Sequence, residues 1–138
     1  MKRYILMMAI LTLLSLHSAA ADQTTTAYII DKINDYRASL DLSPVQACKE
    51  TCDFAKIRAK ELATDFSHHG FDQRVKTGTL PYSHWTVITE NIAKTNNYKE
   101  VVSLWEHSPG HAKNMRADTP CVCVEQYGQY FDYVGMKP

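Results

Sequence analysis

Four cysteines constrain this chain more than any other feature, because their spacings match two different kinds of secondary structure. Cys48 and Cys52 stand four apart, in a segment with small or apolar residues at Val45, Cys48, Cys52, Ala55, Ala59, Leu62 and Phe66. That 3-4 spacing puts both sulfurs on the inward stripe of one helix. Cys121 and Cys123 stand two apart in Cys121-Val122-Cys123-Val124, and strand periodicity puts both on one face. Two pairs on inward faces staple a helix to a sheet. Cross-pairing is therefore expected, 48 or 52 with 121 or 123, because local pairs strain the geometry. Each bridge closes a loop of about 70 residues, worth about 4 kcal/mol in the chain-entropy model. The rival is a zinc site with all four cysteines as ligands.

The N-terminus decides between these. Met1-Lys2-Arg3 is basic, Tyr4 to Leu16 is nearly all apolar, and Ala19-Ala20-Ala21 supplies small residues before Asp22. This reads as a secretory signal peptide over residues 1–21, too short and wrongly flanked for a membrane span. A secreted or periplasmic location favours disulfides over a thiolate site. The leader holds no cysteine, so a lipid-modified mature end is not expected. Residues 22–138 make one domain. The whole chain has 15 basic and 15 acidic residues, and losing Lys2 and Arg3 leaves it slightly acidic. Without a basic stripe, nucleic acid and anionic membrane are poor partners. A monomer is expected.

The predicted elements alternate in type. Thr24 to Leu40 reads as a helix with Ile29, Ile30, Ile33, Tyr36 and Leu40 inward. Ser43-Pro44 opens a second helix running to about Asp65. Ser67 to Asn97 reads as loop-rich, with a short strand near Trp85 to Ile88. A third helix covers Asn97 to Glu106, with Val101, Val102 and Trp105 inward, and a short one follows from Pro109 to about Met115. Cys121 to Glu125 and Tyr130 to Val134 form a hairpin around Gly128. The class is α+β, with helices covering a small, mostly antiparallel sheet.

Three stretches carry candidate chemistry: Phe66-Ser67-His68, Thr89-Glu90-Asn91-Ile92, and Trp105 to Asn114. Ser108 is placed to cap a helix whose first position is Pro109. His111 then lies in the first turn, where anionic partners are favoured. Two histidines and a glutamate converging in one cleft make an open metal site or an acid/base site. Plainer roles compete. His68 has the character of a helix C-terminal residue, Asn91 and Asn114 suit backbone bracing, and Trp105 suits the core. Tyr127, Tyr130 and Tyr133 suit a sheet. His69 reads as a solvated loop residue, and His84 and Trp85 as rim residues.

Taken in order, these residues resemble a family. Ile33-Asn34-Asp35-Tyr36-Arg37 resembles the opening helix motif of the CAP superfamily, the cysteine-rich secretory, antigen 5 and pathogenesis-related proteins. Leu42-Ser43-Pro44-Val45 is similar to its entry into the second helix, and Phe66-Ser67-His68 to its first histidine motif. Glu90-Asn91-Ile92 is similar to its Gly-Glu-Asn-Ile signature. Trp105 with Ser108-Pro109-Gly110-His111 and Asn114 resembles the second histidine motif of the compact, bacterial SCP-like branch. The resemblance covers nearly all of residues 22–138. It implies a three-layer α-β-α sandwich whose cleft is lined by His68, Glu90 and His111, with Ser108, Asn91 and Asn114 beside them. Two positions depart from the pattern. Thr89 stands where the family has Gly. Ser108 stands where eukaryotic members have a second Glu, and Glu106 is expected to point elsewhere.

Three function classes follow. One is a secreted binding domain whose cleft takes a divalent metal such as zinc, a small ligand or an unknown extracellular protein partner. Another is a metal-dependent, peptidase-like hydrolase using His68, Glu90 and His111. A third is a structural or signalling factor with a vestigial cleft. Gly-x-Ser-x-Gly is absent and the cysteines are committed to disulfides, which argues against covalent catalysis. No catalytic residue is assigned. The reading favours the binding domain, with His68, His111 and Glu90 as metal ligands.

Overall fold

A computed structural model describes residues 24–138, so the signal peptide read over 1–21 lies outside the described residues. The first helix, α1 (Thr25–Ala38), opens where Thr24 accepts the Ala27 N–H at 3.2 Å. It buries Ile29, Ile30 and Ile33. Its end is fixed by buried Arg37, which donates to the carbonyls of Ser43, Met115 and Ala117 at 2.7–2.9 Å. Leu40, expected inward, lies past that end and is exposed.

Ser43-Pro44 does not open a helix. Val45 exchanges two hydrogen bonds with the Asn34 side chain, at 2.8 and 2.9 Å, which holds it extended. Gln46–Ala47 then forms a two-residue strand, β1, and the helix α2 runs Lys49–Leu62 with Cys48 at its N-cap. Long-range pairing wins over the local Ser-Pro signal here. The Gln46 N–H is taken by the Pro120 carbonyl at 3.0 Å.

The stretch read as loop-rich holds two elements. The helix α3 (His69–Thr77) ends in the left-handed Gly78, φ 66°. It buries only Phe71, which is too little apolar surface to give a periodic signal. The strand β2 (Val87–Lys94) is longer than expected and pairs antiparallel with the last strand over eight residues. Its buried residues include Glu90 and Asn91, which hide a strand from any apolar count. The short helices α4 (Val101–Glu106) and α5 (Pro109–Arg116) come next. The hairpin strands β3 (Cys121–Tyr127) and β4 (Tyr130–Lys137) turn at Gly128, φ 59°.

The sheet order is β1-β3-β4-β2, with β1 parallel to β3 and the other pairs antiparallel. The sheet is therefore mixed, because β1 joins through the helical crossover of α2. Alternation along β4 separates two cores. Phe131 and Tyr133 pack with Ile29, Ile33, Val101, Trp105 and Met115 on one face. Val134 packs with Phe54, Ala55, Phe71 and Leu80 on the other. The result is the α-β-α sandwich. Disulfides Cys48–Cys121 and Cys52–Cys123 tie the start of α2 to β3. They confirm cross-pairing and remove the four-thiolate zinc alternative.

Candidate functional site

The cleft lies along the outer edge of β2, because that strand ends the sheet and α3 and α5 approach it from opposite faces. It measures about 490 Å³ and is lined by His68, Glu90, Ser108, His111 and Asn114, with Lys113 on one wall and Asp72 on the other. Strand parity divides the work of neighbouring residues. Glu90 points toward α2, whereas Asn91 points toward α5.

Glu90 is 4% exposed, and a buried carboxylate needs partners. It has two, each on its own oxygen. Arg58 Nε donates to Oε1 at 2.7 Å, and His68 Nδ1 meets Oε2 at 2.7 Å. Arg58 is held in turn by Glu61 Oε2 at 2.6 Å and the Ser67 carbonyl at 3.0 Å. Arg74 closes the network on Glu61, and its bond keeps that carboxyl below the usual range. His68 occupies the N-cap position of α3, so the expected helix C-terminal role is replaced by a role at a helix start.

The second wall is braced by amides. Asn91 donates to the His111 carbonyl at 3.0 Å. Asn114 donates to the Glu90 carbonyl and to Asn91 Oδ1, each at 2.9 Å. These bonds fix α5 on β2, and with it His111. The His68 and His111 ring centroids lie 5.9 Å apart. Ser108 is the N-cap of α5, yet its side chain makes no capping bond. The residue lines the cleft, and its carbonyl takes the Ala112 N–H at 2.8 Å. Trp105 is buried core and donates to the Ile92 carbonyl at 2.9 Å. Neither His69, His84, Trp85 nor Glu106 lines the cleft.

The two histidines are pushed in opposite directions. The Glu90 hydrogen bond raises His68, whereas burial and the facing His68 lower His111. The cleft thus pairs a histidine that holds its proton more tightly than usual with one whose neutral, lone-pair-bearing form is favoured.

Arg58, Glu61, Arg74 and Asp132 all escaped the sequence reading. Arg58 sits on the buried stripe of α2 between Phe54 and Leu62, and a charge at an inward position was the available signal. Asp132 is 0% exposed on β4 and lies against Glu90. Burial first, then the Glu90 charge, hold its carboxyl well above the usual range. Neither Asp132 oxygen has a hydrogen-bond partner among the described residues, so burial favours its neutral form.

Among the described residues, the trio with donor atoms all within 4.8 Å of one another is Cys52, Cys123 and Glu125. Its sulfurs are bonded to each other and are not thiolate ligands. Any cation in the cleft would rest on the imidazoles.

Comparison with known proteins supports the architecture. An extracellular protein with an SCP domain from Bacillus anthracis superposes with a TM-score of 0.71 at 21% identity, over 83% of this chain and 40% of that one. An outer surface protein from Borrelia burgdorferi gives 0.67 at 20% identity, over 80% and 90%. A cysteine-rich secretory protein from Staphylococcus aureus gives 0.68 at 11%, over 87% and 40%. The chain thus spans less than half the length of two of these proteins. At such identities the likeness shows the fold. No curated protein sequence matches. The family model described as the cysteine-rich secretory protein family, CAP, matches residues 30–119, and the chain belongs to that family.

Proposed function

We propose that this is a secreted or periplasmic binding domain whose cleft takes a divalent cation such as zinc through His68 and His111, without turnover. One observation carries the reading: the 2.7 Å bond between His68 Nδ1 and Glu90 Oε2. A carboxylate on one ring nitrogen fixes the tautomer and turns the other nitrogen outward, as carboxylate-backed metal histidines do. The ring separation fits. With metal–nitrogen bonds of about 2.0–2.1 Å, two imidazoles on one tetrahedral ion have centroids about 5 Å apart, and here they stand at 5.9 Å. Ser108 and water complete the shell. In this reading Glu90 orients His68 rather than ligating, since both its oxygens are already engaged.

The same engagement argues against hydrolysis. A general base must reach a substrate water, and Glu90 is 4% exposed with its charge already balanced by Arg58 and His68. Asp132 is not among the residues lining the cleft. The resident groups therefore hold a cation more readily than they run an acid/base cycle.

Titration calorimetry with zinc tests this. Wild type binds one ion, and His111→Ala loses at least tenfold in affinity. Because Glu90 raises His68, protons compete with the metal to a higher pH than for a free imidazole. Affinity therefore falls with acidification, starting above the ordinary pKa of about 6.5. Equal affinity in wild type and His111→Ala would refute the shared site. Turnover of casein or peptidoglycan that His68→Ala/His111→Ala abolishes would refute the non-catalytic reading.

A further inference from the structure

The cleft exposes backbone as well as side chains. In an antiparallel pair, the N–H and C=O of successive residues point alternately toward the partner and away from it. The 95–129 bond, Thr95 N–H to the Gln129 carbonyl at 2.9 Å, continues an unbroken register from Val87 opposite Lys137 to Lys94 opposite Tyr130. Together they mark odd-numbered residues of β2 as facing β4. Just before β2, the Thr86 N–H also reaches the Lys137 carbonyl at 2.8 Å, so the alternation starts at Val87. Even-numbered residues then face outward, and two side-chain bonds agree. The Glu90 carbonyl is capped from outside by Asn114 and the Ile92 carbonyl by Trp105. Asn114 on α5 and Trp105 on α4 thus cap two outward carbonyls of the edge. Neither cap reaches Ile88. Among the described residues, nothing bonds the outward N–H and C=O of Ile88 or the outward N–H of Glu90. Ile88, Thr89 and Glu90 all line the cleft.

An unpaired edge is normally blunted by charge, proline or a covering element. Here side chains cap the Glu90 and Ile92 carbonyls, and of the outward groups left open, those of Ile88 and the Glu90 N–H belong to residues that line the cleft. We propose that the cleft binds an extended peptide segment, which adds to β2 as a further strand by pairing with Ile88 and Glu90. This deepens the binding reading of the same cleft by naming its partner, and it rests on that reading only in sharing the site, since backbone pairing needs no metal. The occupant must be a peptide because the open groups are one complete donor–acceptor pair and a further donor at strand spacing, which an extended main chain matches. Its side chains would alternate between the α3 wall, with Phe71 and Asp72, and the α5 wall, with Gly110 and Lys113. Those walls would set sequence preference, one side suited to a basic residue and the other to an acidic one.

The experiment uses the oxidised mature protein, panned with a random seven-residue peptide library, once in EDTA and once with zinc. Selected peptides are synthesised with single N-methyl groups along the chain. Pairing predicts a period of two, with alternate positions weakening binding at least tenfold and the positions between them tolerated. Saturating peptide should slow amide hydrogen exchange at Ile88 and Glu90 at least tenfold. Ile88→Pro removes the outward N–H, as proline does on an edge strand, together with a side chain packed against the Phe54–Val134 core, and should weaken binding at least tenfold. The N-methyl scan and the exchange data decide the matter if that variant misfolds. The proposal is overturned if no peptide binds in either buffer, or if selected peptides leave both amides unprotected. Peptide binding that persists in EDTA, beside no zinc binding to the histidines, would sink the metal reading alone.

Discussion

Thr89 and Gly135 face each other across the β2–β4 pair, and the missing side chain of one makes room for the other. A Cβ on Gly135 would lie 2.8 Å from the Thr89 and Thr119 hydroxyl oxygens and 2.6 Å from that of Tyr133. The three hydroxyls converge where the glycine leaves space. The small residue of this facing pair is Gly135, on β4.

Gly135→Ala is therefore expected to destabilise the fold by about 1–3 kcal/mol, the usual cost of forcing atoms into a filled core. Urea unfolding measures it. Thr89→Gly in the same chain should return part of the loss by removing one of the three contacts. Strict additivity of the two changes would show that the residues do not share the space.

The disulfides offer a test of chain entropy. Cys48–Cys121 and Cys52–Cys123 span 73 and 71 residues, nearly the same loop. Either bridge alone already restrains that loop in the unfolded chain. Replacing one pair with alanine should cost well under the roughly 4 kcal/mol expected for a lone bridge of this span, and replacing both pairs should cost about that much or more. Chemical denaturation of the three variants decides. Two equal single losses of the full size would contradict the shared-loop argument.

What the sequence disclosed follows from where its signals are local. Cysteine spacing and the apolar stripe of α1 are set within a few residues, and both reappear in the structure. The resemblance in motif order put His68, Glu90 and His111 in one place, and the three line one cleft. Hidden features depend on distant partners. β1 exists because Pro120 and β3 receive it. β2 buries Glu90 because Arg58, 32 residues earlier, neutralises it. Nothing near Glu90 in sequence announces that arginine.

That pairing makes Glu90 a poor clean probe of the cleft. Arg58 has a side chain 2% exposed, and so does Glu90 at 1%. Removing one partner of such a pair strands a buried charge, at about 3–5 kcal/mol. Glu90→Ala should lose stability on that scale, and Glu90→Gln less, because the amide still accepts from Arg58. Thermal unfolding of both, read before any binding assay, checks this. An alanine variant as stable as wild type would mean that the Arg58–Glu90 bond contributes nothing.

Asp132 allows the sign of a buried acid to be worked out. Its folded pKa is raised by burial and by Glu90, so the folded protein keeps a proton that the unfolded chain releases above about pH 4. Such a group favours folding fully below the unfolded pKa, and that contribution is lost as pH rises through the folded pKa. Asp132→Asn has no proton to lose and keeps nearly the shape of the neutral acid. Relative to wild type, the variant should therefore gain stability as pH rises from 4 toward neutrality, by up to about 1.4 kcal/mol per pH unit. Urea denaturation of both proteins at pH 4, 5.5 and 7 measures the difference. A gap that stays constant with pH would mean that Asp132 titrates as an ordinary carboxyl.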